Sequence, residues 1–127
     1  MNSEDANTPG ASTSGNPPVD LVWLKECTDD DTEAMKAMVE LYLARTTTQL
    51  SELDAAIAAD SASDVRRIAH ACVGSSGTCG MNGMSQIFKR LEKMGASGKL
   101  VDAAPIAAEA RVEFERVKLF VSEKVAR

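Results

Sequence analysis

The sequence predicts an all-α protein, an up-down-up-down four-helix bundle with a short extra helix at its N-terminal end. Hydrophobic residues make up 44% of the 127 residues and only five are aromatic, which favours helices over strands. Apolar residues recur at steps of three, four and seven over four long segments, and this is the spacing of one helix face. No internal repeat or strand pattern competes with that interpretation. Four amphipathic helices joined by short loops can bury their apolar faces against one another.

The chain is predicted to hold one domain, residues 19–127, after an N-terminal tail. Residues 1–18, MNSEDANTPGASTSGNPP, contain too few apolar side chains to offset the entropy of ordering, so we expect a disordered tail. They also lack the basic and apolar regions of a secretory signal. The three cysteines match no CxxC spacing, which favours reduced thiols in a cytoplasmic protein.

The charge pattern limits the classes of partner. A net charge of −5 argues against nucleic acid or an anionic membrane as the main partner. No stretch approaches the 18 apolar residues that a membrane span needs. We expect a monomer, because a four-helix bundle can use all of its apolar stripes within one chain.

The first two helices follow a proline pair and an acidic run. After Pro17 and Pro18, the segment VDLVWLKE predicts a short helix that closes one end of the bundle. Thr28 and the three aspartates after it favour the N-terminus of a second helix, which ends at Asp60. The apolar stripe of this second helix consists of Met35, Met38, Val39, Tyr42, Leu50, Leu53 and Ile57.

Three further helices complete the prediction. The third runs from about Ala62 to Cys79, capped by Ser61 or Ser63, and ends at Gly80. The fourth has Asn82 as its cap and ends before a loop, GASGKL, at residues 95–100. The fifth runs from about residue 101, with Pro105 tolerated near its first turn. The apolar stripes of the last two helices are Met84, Ile87, Phe88, Leu91 and Met94, then Ile106, Ala110, Phe114, Val117, Phe120 and Val121.

The only histidine, His70, is predicted to lie on the solvent face of the third helix. At 100° per residue, the small apolar side of this helix points more than about 115° away from His70. This buried side contains Val65, Ile68, Cys72, Ser75, Ser76 and Cys79. Within about 60° of His70 lie Ser63, Arg66, Arg67, Val73, Gly74 and Gly77.

The two glycines beside His70 indicate a surface that another molecule approaches closely. Each glycine inside a helix costs up to about 1 kcal/mol relative to alanine. Because Gly74 and Gly77 are predicted to be exposed, internal packing gives no reason for them. The alternative is an ordinary solvated histidine beside incidental glycines.

The segment around His70 resembles the phosphorylation motif of histidine-containing phosphotransfer (HPt) domains, roughly A-H-x-L-K-G-S-S-x-x-[LI]-G-x-x-x-L. FKRLEKMG is similar to the family's L-E-x-x-[AG] segment on the following helix, and the resemblance covers about residues 19–122. Cys72 and Cys79 are conservative replacements in the motif. The matching residues are Ala69, His70, Gly74, Ser75, Ser76, Gly80 and Met84.

The resemblance implies a two-component phosphorelay protein in which His70 accepts a phosphoryl group at Nε2 from a receiver-domain aspartate and passes it to another. Val73, Gly74 and Gly77 would lie where the receiver docks. Glu92 falls where some members have a glutamine that bonds the other ring nitrogen, and a carboxylate there could fix the tautomer. A plain solvated carboxylate is the alternative for Glu92. The family implies no intrinsic cofactor, since the receiver brings Mg²⁺, and no kinase activity of its own.

One departure from the family pattern concerns charge. The family's lysine three residues after the histidine is Val73 here, so the cation beside the phosphoryl group is missing. The candidates to replace it are Arg66, Arg67, Lys89 and Lys93, although a plain solvated basic residue is the favoured interpretation for any one of them.

Three hypotheses therefore stand: a phosphocarrier, a degenerate HPt-like module that binds a receiver or kinase without being phosphorylated, and a helical adaptor with an incidental histidine. Other chemistry is poorly supported. One histidine and three scattered cysteines make no usual zinc set. A catalytic cysteine is disfavoured because Cys72 lies opposite His70. GASGKL lacks the spacing and the final Ser/Thr of a phosphate-binding loop, and no strand precedes the glycines at 74, 77 and 80.

Overall fold

Residues 17–125 are described by the computed structural model, and over this range it contains five helices and no strand. Helices α2 to α5 form the bundle, with α2 and α5 in contact so that the ring of helices closes. The helices are α1 (Leu21–Cys27), α2 (Thr32–Ala58), α3 (Ala62–Thr78), α4 (Asn82–Ser97) and α5 (Ala103–Lys124). The predicted all-α bundle with a short additional helix is confirmed. Most of the predicted tail, residues 1–16, lies outside the described residues, and Pro18 at its end is buried.

A single hydrophobic core lies between the four long helices. The predicted stripes of α2, α4 and α5 are buried in this core or, for Met38, Ile57, Met94 and Phe120, packed against it. Two ion pairs tie α5 to its neighbours at the surface. Arg90 of α4 makes two bonds to Glu109, and Arg111 pairs with Asp54 of α2. No helix within residues 17–125 is long and apolar enough to cross a membrane.

Helix α1 is fastened to the C-terminal end of α3. Asp20 caps α1 by accepting a hydrogen bond from the Trp23 backbone N–H at 3.0 Å. The Trp23 indole Nε1 donates to the Thr78 carbonyl at 2.9 Å, and the Asp20 N–H donates to the Gly80 carbonyl at 2.8 Å. Leu24 is the buried anchor of this helix, while Trp23 is 44% exposed. The short helix therefore covers the end of the bundle at which α3 turns into α4.

The acidic run before α2 behaves as predicted. Asp31 occupies the N-cap, and its side chain accepts a hydrogen bond from the Ala34 N–H at 3.1 Å. Asp29 and Asp30 have positive φ angles of 50° and 60°, a conformation that aspartate tolerates better than most residues. At the other end, Asp60 has a φ of 54° and ends the helix.

The ends of α3 and α4 correct three details of the sequence-based prediction. Ser61 is the N-cap of α3, but its hydroxyl donates to Asp64 at 2.9 Å instead of accepting from the backbone. Asn82 is the first residue of α4 and not its cap, because the buried Met81 takes the N-cap position without a side-chain bond. The predicted loop at residues 95–100 is wrong over its first half. Helix α4 continues to Ser97 and ends at Gly98, whose φ is 79°.

Candidate functional site around His70

His70 stands on the exposed face of α3 and is hydrogen bonded to α4 through one ring nitrogen. Its Nδ1 lies 2.7 Å from Glu92 Oε2, while 77% of the His70 side chain and 26% of the Glu92 side chain are exposed. A carboxylate can only accept, so Nδ1 of the neutral ring carries the proton and Nε2 keeps a free lone pair. The arrangement leaves Nε2 as the nucleophilic nitrogen facing solvent, while Glu92 fixes the tautomer through Nδ1.

The α3–α4 turn produces this pairing. Residues 79–81 reverse the chain, and α3 and α4 then run antiparallel in the most extensive helix contact of the bundle. Near the turn, the Ser85 hydroxyl donates to the Val73 carbonyl at 3.2 Å. Two turns further along α4, Glu92 reaches His70, one turn back along α3. The sequence separation of 22 residues is thus set by a hairpin of two helices.

Gly74 and Gly77 have no packing reason inside the molecule. A Cβ built on Gly74 would meet no atom within 4 Å, and one on Gly77 would meet only Ser85 Oγ, at an ordinary 3.8 Å. Both positions could therefore carry a methyl group without disturbing the bundle. The small residues leave the surface beside the imidazole uncovered and open to another molecule.

Val73 does not lie on the open face with the glycines. The rotation from His70 predicted exposure, but the Val73 side chain is half-buried and packed against the core. The reason is that α4 crosses α3 on this flank, where Ser85 bonds the Val73 carbonyl. Val73 therefore supports the crossing and exposes only part of its side chain to an approaching partner.

The four predicted basic residues are all exposed, but they differ in their partners. Arg67 pairs with Asp64 on its own helix at 3.4 Å. Arg66, Lys89 and Lys93 make no ion pair within the described part of the chain. Lys89 lies one turn before Glu92 on α4 and Lys93 directly follows it. No carboxylate of this part of the chain therefore neutralises these three cations.

The sequence did not predict an apolar groove that lies next to Gly74. It lies between α2 and α3 and has a volume of about 280 Å³. Leu41 at its edge is 58% exposed. We name it the α2–α3 groove; its lining includes Met38, Leu41, Tyr42, Thr46, Gly74 and Thr78. The signal in the sequence was Leu41, an apolar residue beside the α2 stripe and not on it.

The cysteines and carboxylates form no further site next to His70. Cys72 and Cys79 are buried, and burial raises the pKa of the Cys72 thiol to about 12 and that of Cys79 above its usual value. Both are therefore protonated at neutral pH. Among residues 17–125, no three His, Cys, Asp or Glu side chains are grouped so that they could hold a metal ion.

Two comparisons with known proteins agree with this geometry. The family model of the Hpt domain matches residues 37–120. The fold is similar to the crystal structure of histidine-containing phosphotransfer protein B (HptB) from Pseudomonas aeruginosa PAO1, with a TM-score of 0.80 and 22% sequence identity. That likeness covers 87% of this chain and 96% of the other. No curated protein matches the sequence. Because the family match covers most of the bundle and includes both His70 and Glu92, the chain belongs to the Hpt domain family.

Proposed function

We propose that this protein is a phosphocarrier of a two-component phosphorelay, in which His70 carries a phosphoryl group between receiver-domain aspartates. The observation that carries the proposal is the exposed imidazole, bonded at Nδ1 to Glu92 and free at Nε2. Membership of the Hpt family supports the same role. A histidine that is merely solvated needs no neighbouring carboxylate to fix the orientation and tautomer of its ring.

The transfer uses few groups of this chain. The Nε2 lone pair attacks the phosphorus of a receiver's aspartyl phosphate, the N–P bond forms, and the P–O bond to the aspartate breaks so that a carboxylate leaves. The proton stays on Nδ1, and the ring acquires positive charge that faces the Glu92 carboxylate. In the onward step a second receiver's carboxylate attacks the phosphorus and the N–P electron pair returns to Nε2. The receiver brings the Mg²⁺ in this proposal.

The surface beside His70 suits the docking of a receiver. Close approach needs the side of the ring to be clear, and Gly74 leaves it clear. The α2–α3 groove adds an apolar recess one turn from the imidazole, with the exposed Leu41 on its edge. Apolar contacts there would exclude water from the reacting atoms and hold them in line.

Val73 supports one alternative, a degenerate module that binds a receiver or kinase without being phosphorylated. In place of the family's lysine, α3 offers a half-buried valine. The phosphocarrier therefore depends on cations from elsewhere, and we propose Lys89, Lys93 and Arg66, which have no ion-pair partner among residues 17–125. Arg67 contributes less because Asp64 already neutralises it.

The deciding experiment is phosphotransfer from a panel of phosphorylated receiver domains of the same genome. The wild type and His70→Gln are incubated side by side, and acid-labile label on this chain is measured. Label on the wild type and none on the variant supports the carrier role. Absence of label with every receiver, together with measurable binding of one receiver to both proteins, would establish the binding module instead.

A further inference from the structure

Next to the candidate site, Gly95 of α4 lies directly against the backbone of α3. A Cβ built there would lie 2.5 Å from the Arg66 backbone nitrogen, 2.8 Å from Arg66 Cα and 2.8 Å from the Ala62 carbonyl oxygen. These are all backbone atoms of α3, which no side-chain rotation can move. Any residue other than glycine would therefore force α4 away from α3 or along it.

The contact lies one helical turn from the His70–Glu92 pair on both helices. Gly95 follows Glu92 by three residues, and Arg66 precedes His70 by four. Because the helices are antiparallel, the Gly95–Arg66 backbone contact and the His70–Glu92 pair lie next to each other in the α3–α4 interface, one helical turn apart. The spacing that Gly95 permits is the spacing across which Glu92 must reach the ring.

We propose that Gly95 is a positioning residue, which by allowing backbone contact with α3 holds Glu92 within hydrogen-bond distance of His70 Nδ1. This inference rests on the proposed function for its consequence in phosphotransfer. The 2.7 Å pair sits near the short end of the hydrogen-bond range, so a displacement of about 1 Å removes it. The ring then loses the partner that selects its tautomer.

The other glycines within α3 and α4 do not meet the backbone of the facing helix. Near the turn, Gly77 would accept a methyl group at 3.8 Å from Ser85 Oγ. Gly83 would not, but the atom it meets at 2.6 Å is Oε2 of Glu113, the end of a flexible side chain on α5. Gly83 thus offers a matched control, since its substitution also strains α4, about two and a half turns away from Glu92.

The test compares Gly95→Ala with Gly83→Ala and Glu92→Ala in two measurements. The first is the tautomer of the neutral His70 ring, taken from imidazole ¹⁵N chemical shifts of the folded protein. The second is the rate of phosphotransfer from a receiver. We expect Gly95→Ala and Glu92→Ala to shift the ring towards the Nε2–H form and to slow transfer about tenfold. Gly83→Ala should leave the tautomer unchanged even where its melting temperature falls.

A double variant separates positioning from general damage. If Gly95 acts through Glu92, Gly95→Ala combined with Glu92→Ala is no slower than Glu92→Ala alone. Additive losses, or an unchanged tautomer in folded Gly95→Ala, would overturn the proposal. The tautomer measurement needs no phosphorylation, so a failure of the proposed function remains distinguishable from a failure of this inference.

A second variant covers the case in which Gly95→Ala does not fold. Glu92→Asp shortens the carboxylate by one methylene, and helices already in backbone contact cannot move closer to compensate. We expect Glu92→Asp to show the tautomer of Glu92→Ala. A wild-type tautomer in Glu92→Asp would show that the α3–α4 spacing adapts, and would overturn the proposal.

Discussion

His70 Nδ1 lies 2.7 Å from Glu92 Oε2, and the two residues come from helices joined by a turn of only three residues. With 77% of the imidazole exposed, this bond contributes little to folding, because solvent screens exposed pairs to within about 1 kcal/mol. Its effect is on the ring itself: the proton is held on one nitrogen and the lone pair is directed outward from the other.

Replacing Glu92 should consequently impair transfer more than stability. We expect Glu92→Ala to slow phosphorylation of His70 about tenfold, since a hydrogen bond to a charged group contributes about 1.5 kcal/mol. Glu92→Gln keeps an acceptor oxygen, so its phosphorylation rate should lie between those of the wild type and Glu92→Ala. Rates come from single-turnover labelling and stability from urea unfolding. A loss of more than about 2 kcal/mol in unfolding free energy with unchanged transfer would contradict this assignment.

The sequence was sufficient for the helices and for His70, because the 3.6-residue period reports which face of each helix is apolar. It was insufficient to predict the partial burial of Val73. The period does not say which neighbouring helix covers a given flank of α3, and α4 covers the flank that carries Val73. The same limit explains why the sequence predicted a loop at Gly95. Glycine ordinarily ends a helix, and only the crossing of α3 shows why α4 continues through it.

The burial of Glu113 could not be predicted from the sequence, for a different reason. A charged residue is expected on the outside, whereas Glu113 is 1% exposed and its carboxylate bonds Arg116 at 2.8 Å. The partner that makes burial tolerable is one turn away on the same helix. The α2–α3 groove left only Leu41, an apolar residue off the α2 stripe, as a sign in the sequence, because it arises from two helices whose separation no single-helix pattern contains.

Gly74 should show opposite effects on stability and function. Its Cβ position is open, so Gly74→Ala should raise the unfolding free energy by up to about 1 kcal/mol through helix propensity alone. The larger Gly74→Gln should slow transfer from a receiver at least about tenfold, because the side chain occupies the space in which the partner approaches. Ala108→Gln, on the exposed face of α5, is the control for surface glutamine. Normal transfer by Gly74→Gln would remove Gly74 from the docking surface.

Restoring a cation at residue 73 tests the missing family lysine. Val73 is half-buried, so in Val73→Lys the aliphatic stem can cover the same apolar surface while the ammonium reaches water. We expect faster transfer, by about threefold to tenfold, with a loss of about 1 kcal/mol in unfolding free energy. Val73→Met matches the length without the charge. Equal rates for the two variants would show that charge at this position is irrelevant.

Lys89 and Lys93 are the complementary test of the same charge. Each flanks Glu92 on α4 without an ion-pair partner in residues 17–125. Lys89→Gln and Lys93→Gln together should slow transfer by about tenfold in the wild type and by less in Val73→Lys, because the new lysine replaces the lost charge. Arg67→Gln should have little effect, since Asp64 already pairs with that guanidinium. An identical loss in both backgrounds would mean that these lysines act somewhere other than at the phosphoryl group.

Glu113 predicts a specific dependence of stability on pH. Burial raises the pKa of its carboxyl above the ordinary 4.5, and Arg116 offsets only part of this effect. A folded-state pKa above the unfolded one means that the group contributes stability below about pH 4.5 and loses it as pH rises through the folded value. Glu113→Gln has the shape of the protonated acid and no titration. The unfolding free energy of the wild type minus that of Glu113→Gln should therefore fall as the pH rises from about 4.5 through the raised folded-state pKa of Glu113, and then level off. Urea unfolding of both proteins across this range measures the difference, and a difference that rises with pH would show that Arg116 outweighs the burial of the charge.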